Sequence, residues 1–149
     1  MALCGCFEAS PESAGPAGLI RSAMHTGSCL CGAVRFEVSS ALPSANACHC
    51  TICRKQSGHF FASTAVPRAA VTIHGGDAIT WYRSSDKVRR GFCSTCGSPL
   101  FWDKDGKDWI GIAMGAFAPP TATRITEHIF VADKGDYYDI ADGLPQNPR

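Results

Sequence analysis

Residues 27–38 read GSCLCGAVRFEV, and two patterns overlap in them. Cys29 and Cys31 place two thiols one residue apart, followed by Gly32. Val34, Phe36 and Val38 then alternate with Arg35 and Glu37, the period of a strand with one buried face. The strand signature recurs downstream. Residues 60–66, FFASTAV, form a short apolar run that ends at Pro67, and residues 70–74 alternate again. Gly75-Gly76-Asp77 is expected to turn the chain back into a strand over 79–82. Residues 99–102 lead into the acidic turn 103–108, then a strand over 109–114, and 127–131 reads as one more. No long amphipathic helix is present, only a short helical turn after Cys50. The expectation is an all-β single domain.

Composition narrows the classes. A chain of 149 residues fits one domain with a modest core. A net charge of +1 with 18% charged residues lacks the basic excess of a nucleic-acid binder. The 45% apolar content is enough to bury a core, against disorder. No apolar run approaches the roughly 20 residues of a membrane span. The acidic turn 103–108 is not a calcium loop, because its glycine stands at position four rather than the sixth position an EF-hand needs. Residues 1–23 are rich in Ala, Gly, Ser and Pro, and read as a flexible N-terminal extension to a domain spanning 24–149, with Met24 as a candidate natural start. Cys4 and Cys6 in that extension read as solvated thiols. No basic segment precedes an apolar one there, so the expected location is cytoplasmic, where thiols stay reduced. Nine cysteines in such a compartment point to metal.

Seven of the nine fall in three groups: Cys29 and Cys31; Cys48, Cys50 and Cys53; Cys93 and Cys96. In CSTCG, residues 93–97, two residues between thiolates let one turn aim both sulfurs at one ion, and Gly97 can close that turn. Cys29 and Cys31, with Gly32, supply the other half of a four-thiolate zinc site. Such a site is structural, since it leaves no open position. Two disulfides or four buried thiols are the competing readings. Cys48, Cys50 and Cys53 are three thiols in six residues without a nearby fourth. Three protein ligands plus one exchangeable position is how catalytic zinc is built. Three thiolates make zinc a poor activator of water and a better holder of a substrate thiolate. The alternative is a closed site completed by His49, His59 or another histidine. His49 is the weakest donor, because both its neighbours already face the ion.

These motifs resemble one family. GSCLCGAVRFEV at 27–38, CHCTICRKQSG at 48–58, FCSTCGS at 92–98 and IADGLPQ at 140–146 are similar to the glutathione-dependent formaldehyde-activating enzymes. The resemblance runs from about Met24 to Gln146. It implies a β-tent of antiparallel sheets with zinc knuckles, and two zinc ions per chain. Cys29, Cys31, Cys93 and Cys96 would hold the structural ion, and Cys48, Cys50 and Cys53 the catalytic one. It also implies a carbon–sulfur lyase that adds glutathione, or a related thiol, to formaldehyde or a similar small aldehyde. The expected partners are therefore small molecules, not nucleic acid or membrane, and a homo-oligomer is left open. The alternative is a non-catalytic zinc-stabilised binding module. A divergent animal branch of the family is associated with chromosomes, but this chain lacks the basic excess chromatin would favour.

Other residues carry weaker signals. Arg54 and Lys55 are candidates to meet a carboxylate of a glutathione-like substrate or to balance the thiolate charge, against two solvated cations. His59 is a candidate acid or base, against a histidine packed beside Phe60 and Phe61. Gly58 is read as closing the loop after the cysteine cluster. Phe60, Phe61, Trp81, Trp102 and Trp109 are read as core. Arg89 and Arg90 read as a local basic spot, too small to suggest a phosphate-binding track. Tyr137 and Tyr138 suggest no role.

Overall fold

The computed structural model describes residues 24–149. The expectations for residues 1–23, with Cys4 and Cys6, lie outside the described residues. The chain runs through β1 (His25–Ser28), β2 (Arg35–Val38), β3 (Ala45–Cys48), α1 (Thr51–Ser57), β4 (Phe61–Pro67), β5 (Val71–His74), β6 (Ile79–Ser85), β7 (Val88–Cys93), β8 (Pro99–Lys104), β9 (Trp109–Ala113), β10 (Ile125–Ile129) and β11 (Gln146–Asn147). Strands dominate, as the alternation predicts. They form a three-stranded sheet, β1-β2-β5, and an eight-stranded sheet, β11-β10-β3-β4-β9-β8-β7-β6.

Two sequence expectations need correction. The sheets are not wholly antiparallel: β10 runs parallel to both β3 and β11. Parallel neighbours need a long crossover, and the chain between β3 and β10 supplies it. Nor do residues 71–74 and 79–82 pair across the Gly75-Gly76-Asp77 turn. β5 pairs with β2 in the small sheet, and β6 pairs with β7 in the large one. That turn carries the chain between sheets instead of folding it back on itself.

Strand alternation separates two cores. Val66, Cys93, Ile110 and Ile112 join Cys29, Val34, Phe36 and Val38 in one apolar cluster. Phe61, Val88 and Ala113, each an odd number of residues from members of the first group on the same strand, point to the other face. There they meet Cys48, Cys50, Cys53 and Trp102. The large sheet thus holds one cysteine group on each side. Phe36 anchors the first core, edge-on to Phe101 and Phe117 at 5.7 and 5.2 Å.

Arg89 and Arg90 do not form one basic spot, because neighbouring residues of β7 point to opposite faces of the sheet. Arg89 lies 4.4 Å over the Trp81 ring and bonds Asp103 at 2.8 Å, and Arg68 bonds the other Asp103 oxygen at 2.5 Å. Asp103 itself is buried, so the two guanidinium groups satisfy a carboxylate that would otherwise be costly to bury. Arg90 is buried on the opposite face of β7.

Candidate metal centres

Two tight turns of the same design build the first centre. Cys29 follows β1, and its carbonyl accepts the Gly32 N–H at 3.2 Å. Cys93 ends β7, and its carbonyl accepts the Gly97 N–H at 2.8 Å. Both glycines have left-handed backbone, φ 78° and 76°, as the motif reading expected. The turns are tied to each other by the Leu30 N–H donating to Ser98 Oγ at 3.0 Å. Cys29, Cys31, Cys93 and Cys96 come together with all four sulfurs within 4.8 Å of one another. Cys29 and Cys31 sulfurs lie 3.5 Å apart, and Cys31 and Cys93 sulfurs 3.7 Å apart. Zinc–sulfur bonds of about 2.3 Å in a tetrahedron put sulfurs about 3.8 Å apart, so the cage is close to the size zinc needs. None of the described cysteines is in a disulfide, which removes that reading for these seven.

The electrostatics of the cage favour a cation. The Ser98 hydroxyl and backbone N–H draw Cys96 down to about 5. Burial works against charge on Cys29, but the Val34 N–H and the neighbouring thiols bring it below the ordinary thiol range. Cys31 is pushed up to about 12: a backbone N–H at Ala33 favours its thiolate, but Cys29 and the other sulfurs outweigh it. Four thiols this close cannot all lose protons without a positive ion among them.

The second centre sits at the start of α1. Cys48 ends β3, Cys50 caps the helix with its sulfur 3.4 Å from the Cys53 N–H, and Cys53 lies in the first turn. Gly58, with φ 79°, closes the helix. The three sulfurs lie within 4.8 Å of one another, and all three residues are buried. Among the described residues no histidine, cysteine or carboxylate joins them as a fourth donor in that group. His49 is buried and faces away: Nδ1 meets the Tyr138 hydroxyl at 2.5 Å and Nε2 meets His128 Nδ1 at 2.8 Å. His128 Nε2 in turn meets Asp142 at 2.8 Å.

The remaining candidates are placed as follows. Arg54 and Lys55 stand in the last turn of α1, where cations suit the helix dipole. Arg54 Nε is buried with no hydrogen-bond partner among the described residues, while Lys55 is exposed. His59 is exposed, its ring 4.1 Å edge-on from Tyr138 and 4.5 Å from Phe60. A groove of about 1280 Å³ is lined by Cys29, Cys31 and Ser98 from the first centre and by Phe60, Phe61 and Ala113. Phe61 and Ala113 also pack in the apolar cluster of the second centre.

Sequence reasoning passed over Arg90, Tyr138, His128 and Asp142. Arg90 Nη1 and Nη2 lie 3.8 and 3.7 Å from Cys53 Sγ. Its signal was the alternation of β7, which places Arg90 on the Val88 face and Cys93 on the other. No local signal marks Tyr138, because its partner lies 89 residues away.

A two-sheet β fold carrying a four-thiol and a three-thiol cluster defines a cysteine-rich β protein with two groups of thiols that could hold metal ions. The chain belongs to the glutathione-dependent formaldehyde-activating enzyme family, whose model matches residues 24–133. It is similar to a Halomonas elongata protein named for glutathione-dependent formaldehyde activation, with 31% identity over 76% of this chain and 79% of that one. An uncharacterized lyase of Schizosaccharomyces pombe is 28% identical over 79% of this chain and 86% of its own. The crystal structure of a Rhodobacter sphaeroides protein shares the fold, with TM-score 0.55 and 22% identity, covering 68% of this chain and 99% of that one.

Proposed function

We propose that this protein is a carbon–sulfur lyase that joins a small thiol such as glutathione to formaldehyde or a similar aldehyde. In this reading Cys29, Cys31, Cys93 and Cys96 hold a structural zinc, and Cys48, Cys50 and Cys53 a catalytic one. The observation that carries it is the second centre: three convergent sulfurs, with both nitrogens of the adjacent His49 engaged elsewhere. Zinc there supplies one exchangeable position able to keep a thiol in its nucleophilic thiolate form. The printed names of the relatives support the same chemistry.

The reaction balances without a further reactant. The thiol S–H bond breaks and a C–S bond forms at the carbonyl carbon. The carbonyl π pair moves to oxygen, which takes the proton, leaving S–CH₂–OH; the reverse step cleaves it. The uncatalysed addition is easy, so the chain's task is to hold and orient two reactants. Arg54 and Lys55 are assigned to the carboxylates of the thiol substrate, supported by the buried Arg54 Nε, which has no hydrogen-bond partner among the described residues. His59 is assigned to substrate contact as the exposed imidazole beside the helix.

A second reading, a non-catalytic zinc-stabilised binding module, draws on the near-complete burial of Cys48, Cys50 and Cys53. Elemental analysis of freshly reduced protein separates the two. The enzyme reading expects two zinc ions per chain, one of which becomes labile to chelator when glutathione is added. It also expects Cys50→Ser to keep the fold and lose glutathione-dependent formaldehyde consumption. Two ions indifferent to both chelator and thiol would establish the binding module instead.

A further inference from the structure

Arg90 is 3% exposed, yet a guanidinium stays protonated at every pH a protein survives. Burying such a charge is costly unless it meets an anion or a full set of acceptors. Both of its terminal nitrogens converge on one atom, Cys53 Sγ, at 3.8 and 3.7 Å. The rest of the group is held in place from two further elements. Nη1 donates to Gln56 Oε1 at 3.1 Å, on the helix that carries Cys53. Nε donates to Ser84 Oγ at 3.2 Å. Ser84 is the extra residue of a bulge in β6, where Arg83 pairs with Arg89 and Ser85 with Val88. A bulge re-aims a side chain, and here the hydroxyl is brought onto the Arg90 side chain, across the sheet from the first centre.

We propose that Arg90 is a positioning residue of the three-cysteine centre, fixing the Cys53 sulfur and offsetting the negative charge of the metal–thiolate group. The charge count shows why a cation belongs there. Three thiolates around a dication leave a net charge of −1, and a bound substrate thiolate makes it −2. One buried guanidinium brings these to 0 and −1, so an anionic thiol meets a site that is not already repelling it. The first centre is balanced differently, since Cys96 leans on the Ser98 hydroxyl and peptide N–H groups. This inference rests on metal binding by Cys48, Cys50 and Cys53, but not on the identity of the thiol or on turnover.

The test compares Arg90→Met, which keeps the apolar stem without charge or donors, with Arg90→Lys, which keeps the charge but not the two-pronged contact. Zinc affinity of each centre is measured on the full chain by competition with a chromophoric chelator, and the cobalt-loaded protein reports the thiolate-to-metal absorption bands. Loss of a donor to a ligating atom typically weakens metal binding by about tenfold to a hundredfold. Arg90→Met is expected to lose that much at the three-cysteine centre only, with shifted cobalt bands there, and Arg90→Lys to lose less. Gln56→Leu, at a half-buried helix position, is expected to move the same centre in the same direction by a smaller factor, and serves where Arg90→Met does not fold. Unchanged affinity and spectra, or equal weakening of both centres, would overturn the proposal. Selective weakening in a protein that never binds glutathione would uphold it and overturn the lyase reading instead.

Discussion

Tyr138 and His49 stand 89 residues apart in sequence, and the phenol oxygen lies 2.5 Å from the His49 Nδ1. The contact is the outer end of a chain through His128 to Asp142. With both imidazoles neutral, the ionised Asp142 can only accept, which assigns every direction. His128 Nε2–H donates to Asp142, His49 Nε2–H donates to His128 Nδ1, and the Tyr138 hydroxyl donates to His49 Nδ1. Tyr138→Phe removes the only group among these able to donate to His49 Nδ1. It is expected to cost about 1–3 kcal/mol, the penalty for a buried acceptor left unpaired. Urea unfolding of the zinc-loaded variant against the parent measures it, and equal midpoints would show that the contact adds nothing.

The same histidine sets a pH dependence. Burial, reinforced by His128, His59 and Lys134, pulls His49 down from 6.5 to about 4, and Asp142 pulls weakly the other way. Above pH 6.5 folded and unfolded chains both carry a neutral His49. Between about 6.5 and 4 the unfolded chain takes a proton that the folded chain refuses, so stability falls as pH falls and levels off below about 4. The urea midpoint of reduced, zinc-saturated protein should therefore drop more steeply over that window than the midpoint of His49→Gln treated alike, since any acid release of zinc is common to both. Parallel pH profiles would contradict the shift.

The two centres should differ in what their loss does. Cys96→Ser breaks a cage that joins the start of the domain to β7 and β8, and structural zinc sites of this kind contribute about 10–16 kcal/mol of apparent binding energy. Cys96→Ser is expected to melt far below the parent or not fold. Cys50→Ser is expected to keep the parent far-ultraviolet circular dichroism and lose one zinc per chain. If Cys50→Ser proves the more damaging, the structural and catalytic assignments are reversed.

Gly97 offers a smaller test of the knuckle. Its φ is 76°, and a Cβ built there meets none of the described residues within 4 Å. Gly97→Ala therefore isolates the backbone cost, about 1–2 kcal/mol for an L residue held in left-handed geometry. Thermal unfolding should register that loss with two zinc ions still bound. A variant as stable as the parent would mean the turn relaxes to another conformation.

Much of this architecture was legible in local pattern. The alternation at 34–38 and the apolar run ending at Pro67 gave strands where β2 and β4 stand. The cysteine spacings and their glycines gave two turns that the structure shows with the expected left-handed backbone. Local pattern failed where partners are distant. Residues 71–74 and 79–82 alternate as a hairpin would, but each finds its neighbour in a different sheet. The adjacent Arg89 and Arg90 look alike in sequence, and the period of two sends one to Asp103 and the other to Cys53.

The sequence by itself determined the strand-rich class, the grouping of seven cysteines and the chemistry those thiols suit. These depend on residue type and on spacings of a few residues, which a turn or strand converts directly into geometry. The tertiary structure alone decided which groups meet: the four sulfurs of the first cage from two distant turns, Arg90 against Cys53, and Tyr138 against His49. Such contacts are set by sheet order and by which face of each strand is buried, and those follow from the packing of the whole chain, which no short window of sequence contains.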